Sequence, residues 1–196
     1  MVWVYLDGER VARLRVSDVE ELGLRRGLKL GEALKTEVMI RAQRVEAWEY
    51  AVRLLGLRSR SRVELGRCLK TRKLDQSIVE AVLDELERLG YLDDREYARR
   101  LAEEAVKTGR LGPAAIRVKL RQQGISDEVA EDAVEKAMAG ADEEELALRV
   151  AEKRLRSMEG LDRHTRRRRL QAFLGRRGFS GEIIYNVLQR VIPAED

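Results

Sequence analysis

The stretch Leu89-Gly90-Tyr91-Leu92-Asp93-Asp94 reads as a helix stop joined to a helix start. Before it, Ile78, Val79, Val82, Leu83 and Leu86 recur at helical spacing, and after it Tyr97, Ala98 and Leu101 open a second pattern of the same period. Gly90 suits the left-handed residue just past a helix end, where a side chain would clash. Asp94, or Asp93, can accept hydrogen bonds from the unpaired N–H groups that open the next helix. Tyr91 and Leu92 are expected to tuck the corner into the core. The role expected of these six residues is a structural corner rather than contact with a ligand.

Working outward, the corner belongs to a unit written three times. With Leu69, Leu120 and Leu174 in register, the fifth residue onward is Leu74, Ile125 and Phe179, and the sixth is Asp75, Ser126 and Ser180, each a helix-capping type. Counted from that cap, the same offsets give Ile78, Val79, Val82, Leu83 and Leu86, then Val129, Ala130, Ala133, Val134 and Ala137, then Ile183, Ile184, Val187, Leu188 and Val191. All are apolar. Four residues before the anchors stand Leu65, Ile116 and Leu170, so a middle helix recurs, opened by the capping box Ser61 and Glu64 in the first copy and by Gly112 and Pro113 in the second. A first helix recurs through Tyr50, Ala51 and Leu54, then Tyr97, Ala98 and Leu101, then Leu146, Ala147 and Val150. From Leu69 to Leu120 is 51 residues and from Leu120 to Leu174 is 54, the length of three helices. The expected fold is all-α: three tandem three-helix repeats in an elongated curved array, because each repeat contacts mainly its neighbours.

The chain begins differently. Val2, Val4 and Leu6 alternate with Trp3, Tyr5 and Asp7, Asp7-Gly8 is a two-residue turn signal, and the stretch from Val11 to Val16 alternates again. This predicts a small β-hairpin, with Trp3 or Tyr5 packing on the helices that follow. Ser17 and Asp18 can cap a short helix through Leu22, and Gly23, Gly27 and Gly31 mark a loop. From Glu32 to Leu55 the pattern is helical, as one helix or two, with Gly56 ending it. The expected organisation is hairpin and short helix over 1–31, repeat 1 with a lead-in helix over 32–90, repeat 2 over 91–140, repeat 3 over 141–192, and a tail at 193–196.

Composition agrees with a helical, soluble chain: of 196 residues, 38% are charged, 5% aromatic and only two are proline. No apolar run approaches the roughly eighteen residues of a membrane span, and the start lacks the pattern of a signal peptide, so a cytoplasmic protein is expected. The single Cys68 cannot form an internal disulfide, and with the single His164 it offers too few ligands for a Cys/His zinc site. No cofactor is expected.

The net charge of +4 is a weak bias, but its distribution is not even. Around the first middle helix lie Arg58, Arg60, Arg62, Arg67, Lys70, Arg72 and Lys73, with Glu64 the single acid. The second copy has Lys107, Arg110, Arg117, Lys119 and Arg121, and the third Arg163, Arg166, Arg167, Arg168, Arg169, Arg176 and Arg177. The third helices run acidic instead, with Glu80, Asp84, Glu85 and Glu87, then Asp127, Glu128, Glu131, Asp132 and Glu135. Stacked in register, the middle helices would lay a basic face suited to DNA phosphates or an acidic partner groove. The alternative is that each basic run is a solvated face partly paired with its acidic neighbour. The sharpest candidate is the run Arg166, Arg167, Arg168 and Arg169.

The block Gly90-Tyr91-Leu92-Asp93-Asp94 with Tyr97 and Ala98, followed by Gly112, Pro113, Ile116, Leu120, Gly124 and Ile125, closely resembles the core of the RecX family, bacterial modulators of the RecA recombinase. The resemblance spans about residues 45 to 192 and is most specific in the middle copy. One departure is that the arginine often found late in the helix after the corner has only Lys107 near its place. The resemblance implies a non-enzymatic monomer that lies in the groove of the RecA filament on single-stranded DNA. There it would depress ATPase, strand exchange and coprotease functions. The basic middle-helix residues would make the contacts, while Tyr91, Asp93 and Asp94 hold the fold.

An enzyme is not indicated. His164 sits among arginines and is expected to be exposed or a phosphate contact rather than a base, Cys68 reads as a small core residue with no histidine near it in sequence, and Gly23, Gly27 and Gly31 lack the spacing and lysine of a P-loop. Two other readings stand beside the regulator. One is a winged-helix DNA-binding protein, with the helix before Leu92 as recognition helix, which needs two strands after it. The other is a helical adaptor with no nucleic-acid role, whose binding would not respond to salt.

Overall fold

The computed structural model describes residues 1–193, so the tail expected at 193–196 lies, beyond Pro193, outside the described residues. Two strands, β1 (Val2–Leu6) and β2 (Glu9–Leu14), pair antiparallel, and ten helices follow: α1 (Val16–Glu21), α2 (Glu32–Leu57), α3 (Arg62–Lys70), α4 (Gln76–Arg88), α5 (Asp94–Thr108), α6 (Pro113–Gln122), α7 (Asp127–Met138), α8 (Glu143–Arg156), α9 (Arg163–Arg176) and α10 (Gly181–Val191). The chain divides into two compact units, Met1–Asp93 and the residues from Asp94 onward. Since α5 begins directly after the corner, no pair of strands follows Leu92, and the winged-helix arrangement is not formed.

In the first unit the hairpin turns through Asp7 and Gly8, both at positive φ. A shift in register between Val4 and Tyr5 leaves Val11 as an extra residue in β2. A two-stranded sheet has one dry face, and Ala12 and Leu14 occupy it with Val4, packed on Val38 and Ala42 of α2. Trp3 and Tyr5 therefore fall on the wet face, about half exposed, contrary to the expectation that one of them would dock. Trp3 is instead covered by the Arg10 and Arg13 guanidiniums, at 4.1 and 5.8 Å from its ring centre. Arg15 ties the hairpin to α4 by a bidentate contact with Glu85, at 2.7 and 3.2 Å. The short helix α1 is capped differently from expectation: Arg15 takes the cap position, and the Asp18 carboxylate accepts its backbone N–H at 3.0 Å. Helix α2 is continuous, and Gly56 lies inside its last turn; the chain leaves the helix at Arg58, whose backbone is extended. One half of α2 serves the hairpin core and the other, through Ala47 and Ala51, serves the first repeat.

Each repeat has the same build. Its first helix (the end of α2, then α5, then α8) carries a fully buried alanine, Ala51, Ala98 or Ala147, and its middle helix (α3, α6, α9) carries the fully buried pairs Leu65 and Leu69, Ile116 and Leu120, Leu170 and Leu174. The third helix (α4, α7, α10) closes the core with the apolar stripe read from the sequence. Ser61, Ser126 and Ser180 accept N–H bonds from the third residue onward, at 3.1, 3.4 and 3.2 Å, as helix caps do. Asp75 holds the cap position of α4 without a side-chain bond.

The helix ends explain why the anchoring leucine and the residue five further on are both apolar. At Gly124 (φ +81°), the Ile125 N–H donates to Leu120 O at 3.1 Å and the Gly124 N–H to Arg121 O at 2.8 Å. This is the Schellman pattern, whose signature includes an apolar contact between those two positions. Gly178 and Phe179 repeat it on Leu174. Gly90 ends α4 in the same way, with Tyr91 N–H donating to Leu86 O at 2.8 Å. Leu92 is buried as expected, but Tyr91 is half exposed, resting edge-on against Trp48 at 6.4 Å between ring centres. Asp94 is the first residue of α5, which leaves Asp93 at the position before it.

Repeats 2 and 3 meet through backbone. The Gly112 N–H at the start of α6 donates to Arg177 O at 2.7 Å, and the Ala114 N–H donates to Gly178 O at 3.2 Å. The unpaired amides of one middle helix thus meet the unpaired carbonyls of the next, which also brings opposite dipole ends together. The approach leaves no room for a side chain: a Cβ on Gly112 would stand 2.6 Å from Gly178 O, and one on Gly178 only 2.2 Å from Ala115 N.

Three substitutions probe these helix ends. In repeat 1, Lys73 (φ +56°) occupies the place of Gly124 and Gly178. Lys73→Gly should raise stability by about 1 kcal/mol in urea unfolding, since a non-glycine residue there costs roughly 1–2 kcal/mol. Gly178→Ala should lower it by on the order of 3 kcal/mol, from the positive φ together with overpacking. Gly90→Ala, with nothing within 4 Å of its Cβ, should show the φ penalty alone.

Candidate cationic interface

The basic residues singled out in the sequence separate into two groups once their neighbours are known. In repeat 1, Arg58 and Arg60 both bond Glu64. Arg62 reaches across to α4 and holds Glu80, Asp84 and Glu87 at 2.8, 2.7 and 2.7 Å. Burial works against the charge of Arg62, but Asp84, Glu80 and Glu87 more than restore it and raise its pKa above the usual arginine value. Arg72 lies 4.5 Å over the Tyr50 ring and 3.6 Å from Glu46. Arg67 is exposed. Lys70 and Lys73 are exposed and, among the described residues, have no ion-pair partner within 4.0 Å.

Repeat 2 follows the same division. Arg117 bonds Glu131 at 2.7 Å and Arg121 bonds Asp127 at 2.9 Å, both on the third helix of the repeat. Lys107, Arg110 and Lys119 are exposed without an ion pair among the described residues. In repeat 3 the four-arginine run is split by helix geometry. At 100° per residue, four consecutive side chains cannot share a face. Arg163 and Arg167 turn toward the end of α10 and donate to the carbonyls of Pro193 and Ile192, while Arg166 is half-buried with its Nε shielded from water. Arg168, Arg169 and Arg176 point outward and, among the described residues, pair with no acid. Arg177 donates to Arg110 O at 2.8 Å.

Arg62, Arg117 and Arg121 therefore join middle helix to third helix within a repeat, Arg58 and Arg60 stay with Glu64 of α3 itself, and the outward group faces solvent. At the start of α9, Asp162 accepts the Thr165 N–H at 2.9 Å, and this bond holds its carboxyl below the usual aspartate range. Its contribution is complete above that range and fades as pH falls through it. On α5, bonds from Arg99 and Arg100 hold Glu96 down to about 2.

Sequence reasoning missed one feature. Lys107, Arg110 and Arg177 line a cleft of about 620 Å³ with Arg149, Lys153 and Arg154 of α8, over a floor of Val150 and Phe173. Among the described residues no acidic one lines it. The signal was present in α8, which runs from Glu143, Glu144 and Glu145 in its first turn to Lys153, Arg154 and Arg156 in its last. His164 is exposed, and Cys68 is half-buried with Sγ 3.9 Å from Arg60 Nη1. Among the described residues no group of three or more His, Cys, Asp or Glu could hold a metal ion, and no helix is long and apolar enough to cross a membrane.

If the division is correct, Arg62→Gln should cost about 1 kcal/mol or somewhat more in urea unfolding, since it strands three carboxylates on one face. Arg168→Gln should stay within about 0.5 kcal/mol.

Three family models match the chain in order: RecX first three-helix domain over residues 47–86, second over 93–134 and third over 142–188. A regulatory protein RecX of Amycolatopsis mediterranei is 33% identical over 144 residues, covering 74% of this chain and 82% of its own. One from Chlorobium phaeobacteroides is 31% identical, covering 74% and 93%. A crystal structure of regulatory protein RecX superposes with a TM-score of 0.75 at 25% identity, covering 94% of this chain and 92% of that one. RecX from Lactobacillus salivarius shares the fold, with a TM-score of 0.62. Three matched repeats in the right order, each with the caps and buried positions described above, establish that the chain belongs to the RecX family of regulatory proteins.

Proposed function

We propose that this protein is a negative regulator of the RecA recombinase, acting in the groove of the RecA filament on single-stranded DNA and lowering its ATPase, strand-exchange and coprotease activities. The observation that carries the reading is the complete three-repeat match to a family of regulatory proteins. A regulator of this kind works by occupying a surface rather than by chemistry, so affinity spread over many exposed charges is the expected mechanism. The outward cations fit that role: Lys70 and Lys73 in repeat 1, Lys119 in repeat 2, and Arg168, Arg169 and Arg176 in repeat 3. Arg62, Arg117 and Arg121 are assigned instead to holding the repeats, because carboxylates of the third helix already pair them, and Arg58 and Arg60, which share Glu64, to the start of α3. The protein is proposed to act as a cytoplasmic monomer without a cofactor.

The test is the single-stranded-DNA-dependent ATPase of RecA, followed as the protein is added well below the recombinase concentration. Inhibition at such ratios supports the regulator and favours capping or destabilisation of filaments over coating. Arg168→Glu with Arg169→Glu should weaken inhibition by about tenfold, on the order of 1.4 kcal/mol, with helical content unchanged. No effect of the unaltered protein at any ratio would sink the reading. Binding that does not respond to salt would favour a helical adaptor instead.

A further inference from the structure

We infer that the cleft at the junction of repeats 2 and 3 is a binding site for a short segment of single-stranded nucleic acid, contacted through its phosphates and bases. The inference deepens the function proposed above by giving its nucleic-acid contact a place, and it rests on that reading only for its biological setting.

The first argument is charge. The protein has nearly balanced totals, 39 basic and 35 acidic residues, and Arg41, Arg62 and Arg117 are each held by carboxylates. A comparable groove in the first unit, lined by Arg15, Arg41, Arg44 and Arg88, is matched by Asp18, Glu21, Asp84 and Glu85. The junction cleft gathers Lys107, Arg110, Arg149, Lys153, Arg154 and Arg177 with no acid among its lining residues. Part of this charge serves helix ends, because α5, α8 and α9 all finish here. Three helix C-termini offer at most about 1.5 negative charges between them, which leaves a surplus of more than four. Such a surplus in one cleft favours an anionic chain.

The second argument is shape and chemistry. A compact polyphosphate is held best by backbone N–H groups at a helix N-terminus or a nest, and this cleft presents C-termini instead. Long Arg and Lys side chains are the usual contacts to an extended phosphodiester backbone. The floor is apolar, and Phe173 carries the Arg154 and Arg177 guanidiniums at 5.2 and 5.1 Å from its ring centre. Guanidinium planes held in this way are surfaces on which unstacked bases lie. At about 620 Å³ the open cleft admits a few nucleotides of single strand rather than a duplex.

Arg149 and Lys153 serve as probes, because among the described residues neither side chain makes a hydrogen bond or ion pair. The full-length protein is titrated into a labelled oligothymidylate of about eight nucleotides and binding is read by fluorescence anisotropy over a range of salt. Arg149→Glu with Lys153→Glu should weaken binding by about tenfold or more and make the slope of log affinity against log salt shallower by about 1.4, two phosphate contacts at 0.7 each. Arg25→Glu with Arg26→Glu, exposed residues of the first unit, makes the same change in net charge and should alter binding less than about twofold. Should the reversal disturb helicity, Arg149→Gln with Lys153→Gln reads the same slope. Equal loss from both double variants would overturn the site, as would absence of binding by the unaltered protein. So would displacement of the oligonucleotide by oligoglutamate or ATP at matching concentrations. The same variants in the RecA ATPase separate the two claims: cleft-dependent DNA binding without ATPase inhibition keeps the site and removes the regulator, and inhibition without cleft-dependent binding does the reverse.

Discussion

Two backbone hydrogen bonds, from Gly112 N–H to Arg177 O and from Ala114 N–H to Gly178 O, set the geometry on which the second unit depends. They join the N-terminus of α6 to the C-terminus of α9, so donors and acceptors that any helix leaves unpaired are satisfied by each other. The bond lengths require backbones to touch, and only glycine at 112 and 178 allows it. Everything near the junction inherits its position from this contact. Phe173 and Arg177 lie on the last turns of α9 and just past it, Arg110 just before α6, and the cleft they share with α8 is a by-product of the seam between two repeats.

Charge in this protein has two separate uses. Arg62 shows the first: it crosses from α3 to α4 and gathers three carboxylates, fixing the middle helix against the third. Arg117 with Glu131 does the same work one repeat later. Each such exposed pair contributes little alone, and their value lies in the orientation they give to helices already packed by leucines. The second use needs cations with nothing opposite, and those lie on the outward faces of α3, α6 and α9 and in the junction cleft.

The family match and the physical reading meet at the helix ends. The Schellman turns at Gly124 and Gly178 require a left-handed residue and an apolar partner five residues after the anchoring leucine. Repeat 1 departs from this by placing Lys73 in the left-handed position, a local strain the other copies avoid. Lys73 is also among the exposed cations.

Much of this was legible in the sequence. Caps, glycine stops, the buried leucine pairs and the three third-helix stripes follow from local rules of period and hydrogen bonding, and these act over fewer than about ten residues. The hairpin was legible too, but not which of its faces would be dry. Trp3 and Tyr5 have the larger side chains, yet Ala12 and Leu14 are buried because their face meets α2, and that choice belongs to the docking partner. The continuity of α2, which carries both the hairpin core and the first repeat, was likewise left open by the sequence as one helix or two. The candidate interface was read least well. A run such as Arg166, Arg167, Arg168 and Arg169 looks uniform in one dimension, but helix rotation turns Arg166 and Arg167 inward and Arg168 and Arg169 outward. Arg149, Lys153 and Arg154 gain their importance from Arg110 and Arg177, residues distant in sequence that a backbone contact between two repeats brings beside them. Sequence determined the repeats and their caps because those depend on neighbours in the chain; tertiary structure decided which charges are cancelled and which are left over, because that depends on neighbours in space.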